Sequence, residues 1–292
     1  MTPDPASRGH VSHRVASTDG VTLALHDLGG DGPPLLLCHP TGFHGMVWAP
    51  VAAHLAGSAH CWAVDFRGHG DSGLPVSGAL AWQDMADDVL ACAHRIDGDV
   101  LFGAGHSMGA AALLLAEQLN PGLFGALWCY EPIVFPAAEA RWPAGGNPMA
   151  AAARRRKAIF PDRATAIANY AAKPPLADLH PDALEAYVDH GFRDLADGTV
   201  ELKCAPETEA QVFEGGMNHE TFVRLGEVAC PTAVVASGDG GPPSQGATLV
   251  AEALPQGRLE RMAELTHFGP MEAPEAIARS IAAHAELAGR PR

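Results

Sequence analysis

No stretch of this chain is apolar for long enough to cross a bilayer. The first thirteen residues are polar, with Pro3 and Pro5, and lack the apolar centre of a secretory leader. They read as a frayed start. Basic residues are scarce: 19 Lys and Arg stand against 34 Asp and Glu, a formal charge of −15. Such a surface repels phosphate backbones and anionic lipid, so neither nucleic acid nor a membrane is an expected partner. There is no Cys-x-x-Cys pair among the six cysteines, and Cys38, Cys61, Cys129 and Cys230 fall in or beside apolar runs. Free buried thiols suit a reducing compartment, and together with the missing leader they point to the cytoplasm. The fifteen histidines are scattered, and no helical His-x-x-x-His pair has a carboxylate at ligand spacing, so no metal site is expected. There is no internal repeat. What remains is a chain of 292 residues, 47% hydrophobic, enough for one large domain or two small ones with a sizeable core.

Short apolar runs alternate with amphipathic stretches. Strands are expected over 21–28, 35–38, 60–66, 100–104 and 124–130, with helices near 48–55, 82–96 and 110–119. From 132 to 225 the strand signal disappears and proline-punctuated helices take over, at 150–159, 163–171 and 181–192. The alternation resumes with a strand near 230–236, a helix over 246–253, a strand over 258–262 and a last helix over 274–287. The division is thus 1–131, an all-helical insertion over 132–225, and 226–292. This pattern argues for a parallel sheet with helices on both faces. In such sheets functional groups gather at the carboxyl ends of strands, where His39, Asp65, Ser107 and Glu131 all fall.

Gly105-His106-Ser107-Met108-Gly109 lies between one such strand and the helix that follows it. A Gly-x-Ser-x-Gly turn in that setting holds the serine on a sharp, strained bend with its hydroxyl above the sheet. Strand and helix cross closely there, so the flanking residues must be small, and Ala104 and Ala110 add to the two glycines.

At this point the chain resembles the α/β-hydrolase superfamily over nearly all its length. His39-Pro40-Thr41-Gly42-Phe43 resembles the oxyanion loop, with Trp48 in the usual downstream place. The run from Asp65 to Ser72 resembles the loop after the fourth strand. Gly238-Asp239 ends the strand that normally delivers the acid, and Thr266-His267-Phe268-Gly269-Pro270 resembles the loop of the catalytic histidine. The resemblance implies a mostly parallel eight-stranded sheet with helices on both faces and a helical lid. It also implies a triad in the order Ser107, Asp239, His267, with oxyanion donors from the Thr41 and Met108 N–H groups. Two departures stand out. Pro40 replaces the usual glycine after His39, and Gly238 and Asp239 are adjacent where two or three residues usually intervene.

Ser107 is then the nucleophile and His267 its base. His39 is expected to shape its loop through backbone hydrogen bonds, and His106 cannot easily reach Ser107 from the same turn. Glu131 is the rival acid to Asp239. The basic run Arg154-Arg155-Arg156-Lys157 reads as a solvated face of a lid helix, and the lid aromatics Trp142, Phe160, Tyr170, Tyr187, Phe192 and Phe213 are spaced for packing. The expected activity is a cofactor-free serine hydrolase. Its substrate is a small, mostly hydrophobic carboxylic ester, thioester or lactone in an apolar pocket, and the chain acts alone or as a homodimer. A carbon–carbon bond hydrolase, a non-hydrolytic pathway enzyme such as a cyclase, and a non-catalytic ligand-binding module are the alternatives. Epoxide hydrolases and haloalkane dehalogenases need a carboxylate where this chain has Ser107.

Overall fold

The computed structural model describes residues 11–137 and 146–288. In chain order the first part consists of β1 (Val11–Ala16), β2 (Thr22–Gly29), β3 (Pro34–Cys38), α1 (Ala49–Leu55), β4 (His60–Asp65), α2 (Trp82–Ala93), β5 (Leu101–His106), α3 (Met108–Leu119) and β6 (Phe124–Tyr130). The insertion holds α4 (Pro148–Ala153), β7 (Ile159–Phe160), α5 (Arg163–Ala171), α6 (Pro181–Gly191), β8 (Phe192–Asp194), β9 (Val200–Leu202) and α7 (Pro206–Gly215). The chain then returns through β10 (Thr232–Ser237), α8 (Pro242–Ala253), β11 (Gly257–Met262), α9 (Gly269–Glu272) and α10 (Pro274–Ala288).

Eight strands make one sheet in the order β1-β2-β4-β3-β5-β6-β10-β11. The pairs β1–β2 and β2–β4 are antiparallel and the others are parallel. Alternate side chains leave opposite faces of each strand, and here both faces are covered. Leu36 and Cys38 of β3 join a core with Met85 and Val89 of α2, Leu113 of α3 and Val250 of α8. Leu35 and Leu37 join a second core with Val51 and Leu55 of α1 and Ile277 and Ile281 of α10. Two-sided burial is why these strands read as unbroken apolar runs. Helix α3 is buried over nearly its whole circumference, from Met108 to Gln118.

Three expectations need correction. The start is not frayed as far as residue 13: β1 pairs with β2 from Val11. The insertion is not all helical, because β7, β9 and β8 form a three-stranded antiparallel sheet. The expected helix over 150–159 ends at Ala153, and the arginine run lies beyond it. Asn147 starts that helix by accepting the Met149 and Ala150 N–H groups, and Asp162 starts α5 in the same way. Of the aromatics named in the insertion, Phe160, Tyr170, Tyr187 and Phe192 pack ring to ring at 5.6–6.4 Å; Trp142 lies outside the described residues. No helix among the described residues is long and apolar enough to cross a membrane.

Candidate active site

Ser107 links β5 to α3 with φ 55° and ψ −114°, a conformation that costs a non-glycine residue on the order of 1–3 kcal/mol. Neighbouring structure holds it there. The Ser107 N–H donates to the Tyr130 carbonyl at 2.9 Å, and its carbonyl accepts from Ala111 N–H at 3.1 Å. The glycines on either side have separate tasks. A β-carbon at Gly105 would stand 2.7 Å from the Ala110 nitrogen, and one at Gly109 would overlap the Cys38 and His39 carbonyls. Gly109 therefore lets the amino end of α3 rest on the end of β3, where the loop containing Thr41 begins. As a result Thr41 Oγ1 lies 3.4 Å from Met108 Sδ. The two expected oxyanion donors thus belong to residues in side-chain contact. The amides of a helix's first turn have no partner within the helix, so that of Met108 is available to a developing negative charge.

The loop after β3 is shaped by two neutral histidines. Phe66 N–H donates to His39 Nε2 at 3.0 Å, so the ring proton sits on Nδ1 and is given to the Pro40 carbonyl at 2.8 Å. His69 repeats the arrangement: Gly42 N–H donates to its Nε2 at 3.2 Å, and its Nδ1 faces the Arg67 carbonyl at 3.0 Å. Burial lowers the pKa of both rings, that of His39 well below the usual 6.5. Asp65 is structural as well, accepting Gly45 and Asp71 N–H groups at 2.7 Å and pairing with His26 at 3.0 Å. Burial opposes its ionisation, yet the His26 contact holds its carboxyl far below the usual range.

His267 lies in the loop between β11 and α9. Tyr130 Oη donates to the Thr266 carbonyl at 2.6 Å, and Thr266 N–H donates to Glu272 Oε2 at 2.9 Å, which fixes the loop on both sides of the ring. A β-carbon at Gly269 would overlap the Tyr130 hydroxyl. The imidazole Nδ1 lies 2.6 Å from Glu131 Oε2. A carboxylate only accepts, so Nδ1 carries the proton and Nε2 is left as a base.

Glu131, rather than the favoured Asp239, is the carboxylate that the structure brings to His267. Glu131 is fully buried, and its other oxygen accepts Ser237 N–H at 2.8 Å. Asp239 is exposed and accepts Gly241 N–H at 2.8 Å inside its own turn. The tight Gly238-Asp239 junction accounts for this. Gly238 N–H bonds the Leu265 carbonyl and its α-carbon packs on the Ala263 backbone, so the chain turns before Asp239 can reach inward.

His106 is buried beside the ring of His267, with centroids 4.8 Å apart, and burial pushes its pKa well below 6.5. No hydrogen bond joins Ser107 Oγ to His267 among the described residues; the ring of His267 packs on His106, the residue before Ser107. Phe43 and Phe268 face each other at 6.0 Å over this rim, and Phe43 packs on Tyr187 of the insertion at 4.9 Å. The space bordered by Gly42, Phe43, His44 and Tyr187 is about 10 Å³, room for one water. A larger apolar cavity of about 320 Å³, lined by Leu55, Phe102, Trp128 and Ile281, lies at the amino end of β5, away from Ser107. Among the described residues no cluster is arranged to hold a metal ion.

The arginine run divides. Arg154 is an exposed bridge to Glu207 and Glu214, whereas Arg156 is largely buried against Glu209, Tyr170 and Tyr187. Nothing in the local sequence distinguishes the two; only the position of α7 does.

The chain is 34% identical over 111 residues to protein phosphatase methylesterase 1 of Mus musculus, a match covering 36% of this chain and 29% of that protein. This chain therefore spans less than a third of that relative's length. It is 27% identical over 221 residues to a 2-(acetamidomethylene)succinate hydrolase of Mesorhizobium japonicum, covering 74% and 73% of the two chains. A solved structure of an E-2-(acetamidomethylene)succinate hydrolase superposes with a TM-score of 0.79 at 21% identity, over 95% of this chain and 99% of the other. Residues 35–280 match a model of the alpha/beta hydrolase family, from β3 through the Ser107 turn and the His267 loop into α10. By motif order, sheet topology and family match together, this chain belongs to the alpha/beta hydrolase family.

Proposed function

We propose that the protein is a serine hydrolase that cleaves a carboxylic ester, thioester or lactone of a small, mostly hydrophobic substrate through an acyl-enzyme. Ser107 is the nucleophile, His267 the general base and Glu131 the carboxylate that orients it. The observation that carries this reading is the 2.6 Å contact between His267 Nδ1 and the buried Glu131 carboxylate, at the rim where Ser107 is held in strain.

In the first half-reaction Ser107 Oγ bonds to the carbonyl carbon while its proton passes to His267 Nε2. Glu131 stabilises the imidazolium that forms. The carbonyl oxygen becomes an oxyanion between the Met108 and Thr41 N–H groups, fixed donors that need no reorganisation. The bond from the carbonyl carbon to the leaving oxygen, or sulfur in a thioester, then breaks, and that atom takes the proton from His267. In the second half-reaction water attacks the ester on Ser107, again giving its proton to His267, and the acid leaves. Hydrogen bonds of this kind often tighten only when substrate is bound, so Nε2 is expected to swing onto Ser107 Oγ in the loaded site. The chemistry needs no cofactor. Six buried free thiols are in keeping with a cytoplasmic protein.

A fluorophosphonate probe tests the reading directly. The folded protein should be labelled at Ser107, with Ser107→Ala left unmodified, and a series of p-nitrophenyl esters should then rank the acyl lengths the site accepts. Folded protein that resists the probe would overturn the assignment.

A further inference from the structure

Outside the Ser107, His267 and Glu131 group, one charged cluster is built into the seam between the insertion and the sheet. Arg156, just beyond α4, places Nη1 2.5 Å from Glu209 Oε2 of α7. Its Nη2 bonds Tyr170 Oη at 3.2 Å and also Tyr187 Oη, and its guanidinium carbon lies 5.8 and 6.0 Å from the two ring centres. Glu209 is buried. A buried ion pair of this kind adds little stability beyond what apolar side chains of the same volume would supply. Its location suggests another use.

The second oxygen of Glu209 lies so close to Gly42 that it would overlap a β-carbon placed on residue 42. Gly42 has φ +79°, so that position is closed to other residues twice over, by backbone conformation and by the carboxylate packed on it. Gly42 directly follows Thr41, and its N–H donates to His69 Nε2. Tyr187, held by the same guanidinium, packs on Phe43, the next residue of the loop. The loop is thus held by His39 and His69 of the core and by an ion pair belonging to the insertion.

We propose that Arg156 and Glu209 are positioning residues for the oxyanion loop: Arg156 fixes the Glu209 carboxylate against Gly42 and so keeps the Thr41 N–H aimed at the developing oxyanion. The inference rests on the hydrolase reading above. It places the completion of the site under the control of the insertion, because removing the pair frees the loop without touching Ser107, His267 or Glu131.

The test is the kinetics of fluorophosphonate labelling at Ser107 in the full chain, resolved into the maximal rate of inactivation and the half-saturating probe concentration. Glu209→Gln keeps the shape beside Gly42 and loses the ionic hold. Arg156→Lys keeps a cation, and Arg156→Met removes it. The maximal rate should fall about ten- to hundredfold in Glu209→Gln and Arg156→Met, less than the full loss of an oxyanion donor. The half-saturating concentration should stay within about twofold, and Arg156→Lys should recover part of the rate. Because Arg156 acts through Glu209, the double variant should be no slower than the slower single. Circular dichroism on each variant reports folding, and if Arg156→Met does not fold, the other two carry the comparison. Folded Glu209→Gln that is labelled at the wild-type rate would overturn the inference alone. So would a rise in half-saturating concentration with the maximal rate intact, which would make the pair a substrate contact. Wild-type protein that is not labelled at all would remove the hydrolase reading and this inference with it.

Discussion

Glu131 has φ 42°, a left-handed conformation that few glutamates adopt, and it sits directly after β6. The turn is what sends its carboxylate across β10 toward Ser237 and His267 instead of along the strand. Carboxylate removal should therefore separate the two candidate acids. Glu131→Gln should lower kcat by about 10²–10⁴, the scale seen when a triad acid loses its charge and the base its tautomer. Asp239→Asn should stay within about twofold of wild type, since that side chain bonds only its own turn. Steady-state hydrolysis of one p-nitrophenyl ester by both variants decides between them. At this scale the sequence was legible in part. Ser107 and His267 announce themselves by the turns they occupy, and His39 by its place at a strand end. Glu131 was visible only as a rival, because a strand-ending glutamate before a proline looks the same whether it faces the site or anchors a loop. Arg156 was indistinguishable from Arg154 because burial there depends on α7, whose Glu209 lies 53 residues downstream.

Strand β5, its turn and helix α3 form the element on which the site is hung. The close crossing demanded by small residues in the motif is borne out by Gly105 and Gly109, whose missing side chains are filled by backbone. Gly109→Ala would press a methyl group into the Cys38 and His39 carbonyls, which cannot swing aside as a flexible side chain can. It should cost about 2–4 kcal/mol in urea unfolding, whereas Gly57→Ala, with nothing in reach of the added carbon, should be near neutral. The large elements were readable because their apolar runs and helical stripes are long. The strands of the insertion, β7, β8 and β9, have two or three residues each and no period to detect. Edge strand β1 was obscured in a different way: Ser12, His13 and Arg14 are polar, as suits a strand with a single neighbour.

Across the whole molecule, the buried histidines govern the response to acid. His39, His44, His69 and His106 are all depressed by burial, His44 to about 4 from 6.5. In the unfolded chain these rings take up protons near the ordinary value, so below about pH 6.5 the unfolded state binds more protons than the folded one. Stability is then fully present above that pH and falls as the pH drops toward 4, by up to about 1.4 kcal/mol per pH unit for each ring. Asp65, depressed below its usual 3.8, extends the loss under more acid conditions. Urea unfolding at pH 7, 6 and 5 should show a midpoint that moves steadily lower. A midpoint independent of pH over that range would contradict the neutral, buried state assigned to these rings.

The amide of Ser107 is hydrogen-bonded to the carbonyl of Tyr130, the residue before Glu131. Ser107 and Glu131, the proposed nucleophile and carboxylate, therefore ride on adjoining strands of one sheet, and neither can drift from the other without breaking the β5–β6 pairing. Of the three proposed triad side chains, the imidazole alone arrives on a loop between β11 and α9. Alignment is thereby reduced to the swing of a single ring, tethered at one nitrogen and free at the other.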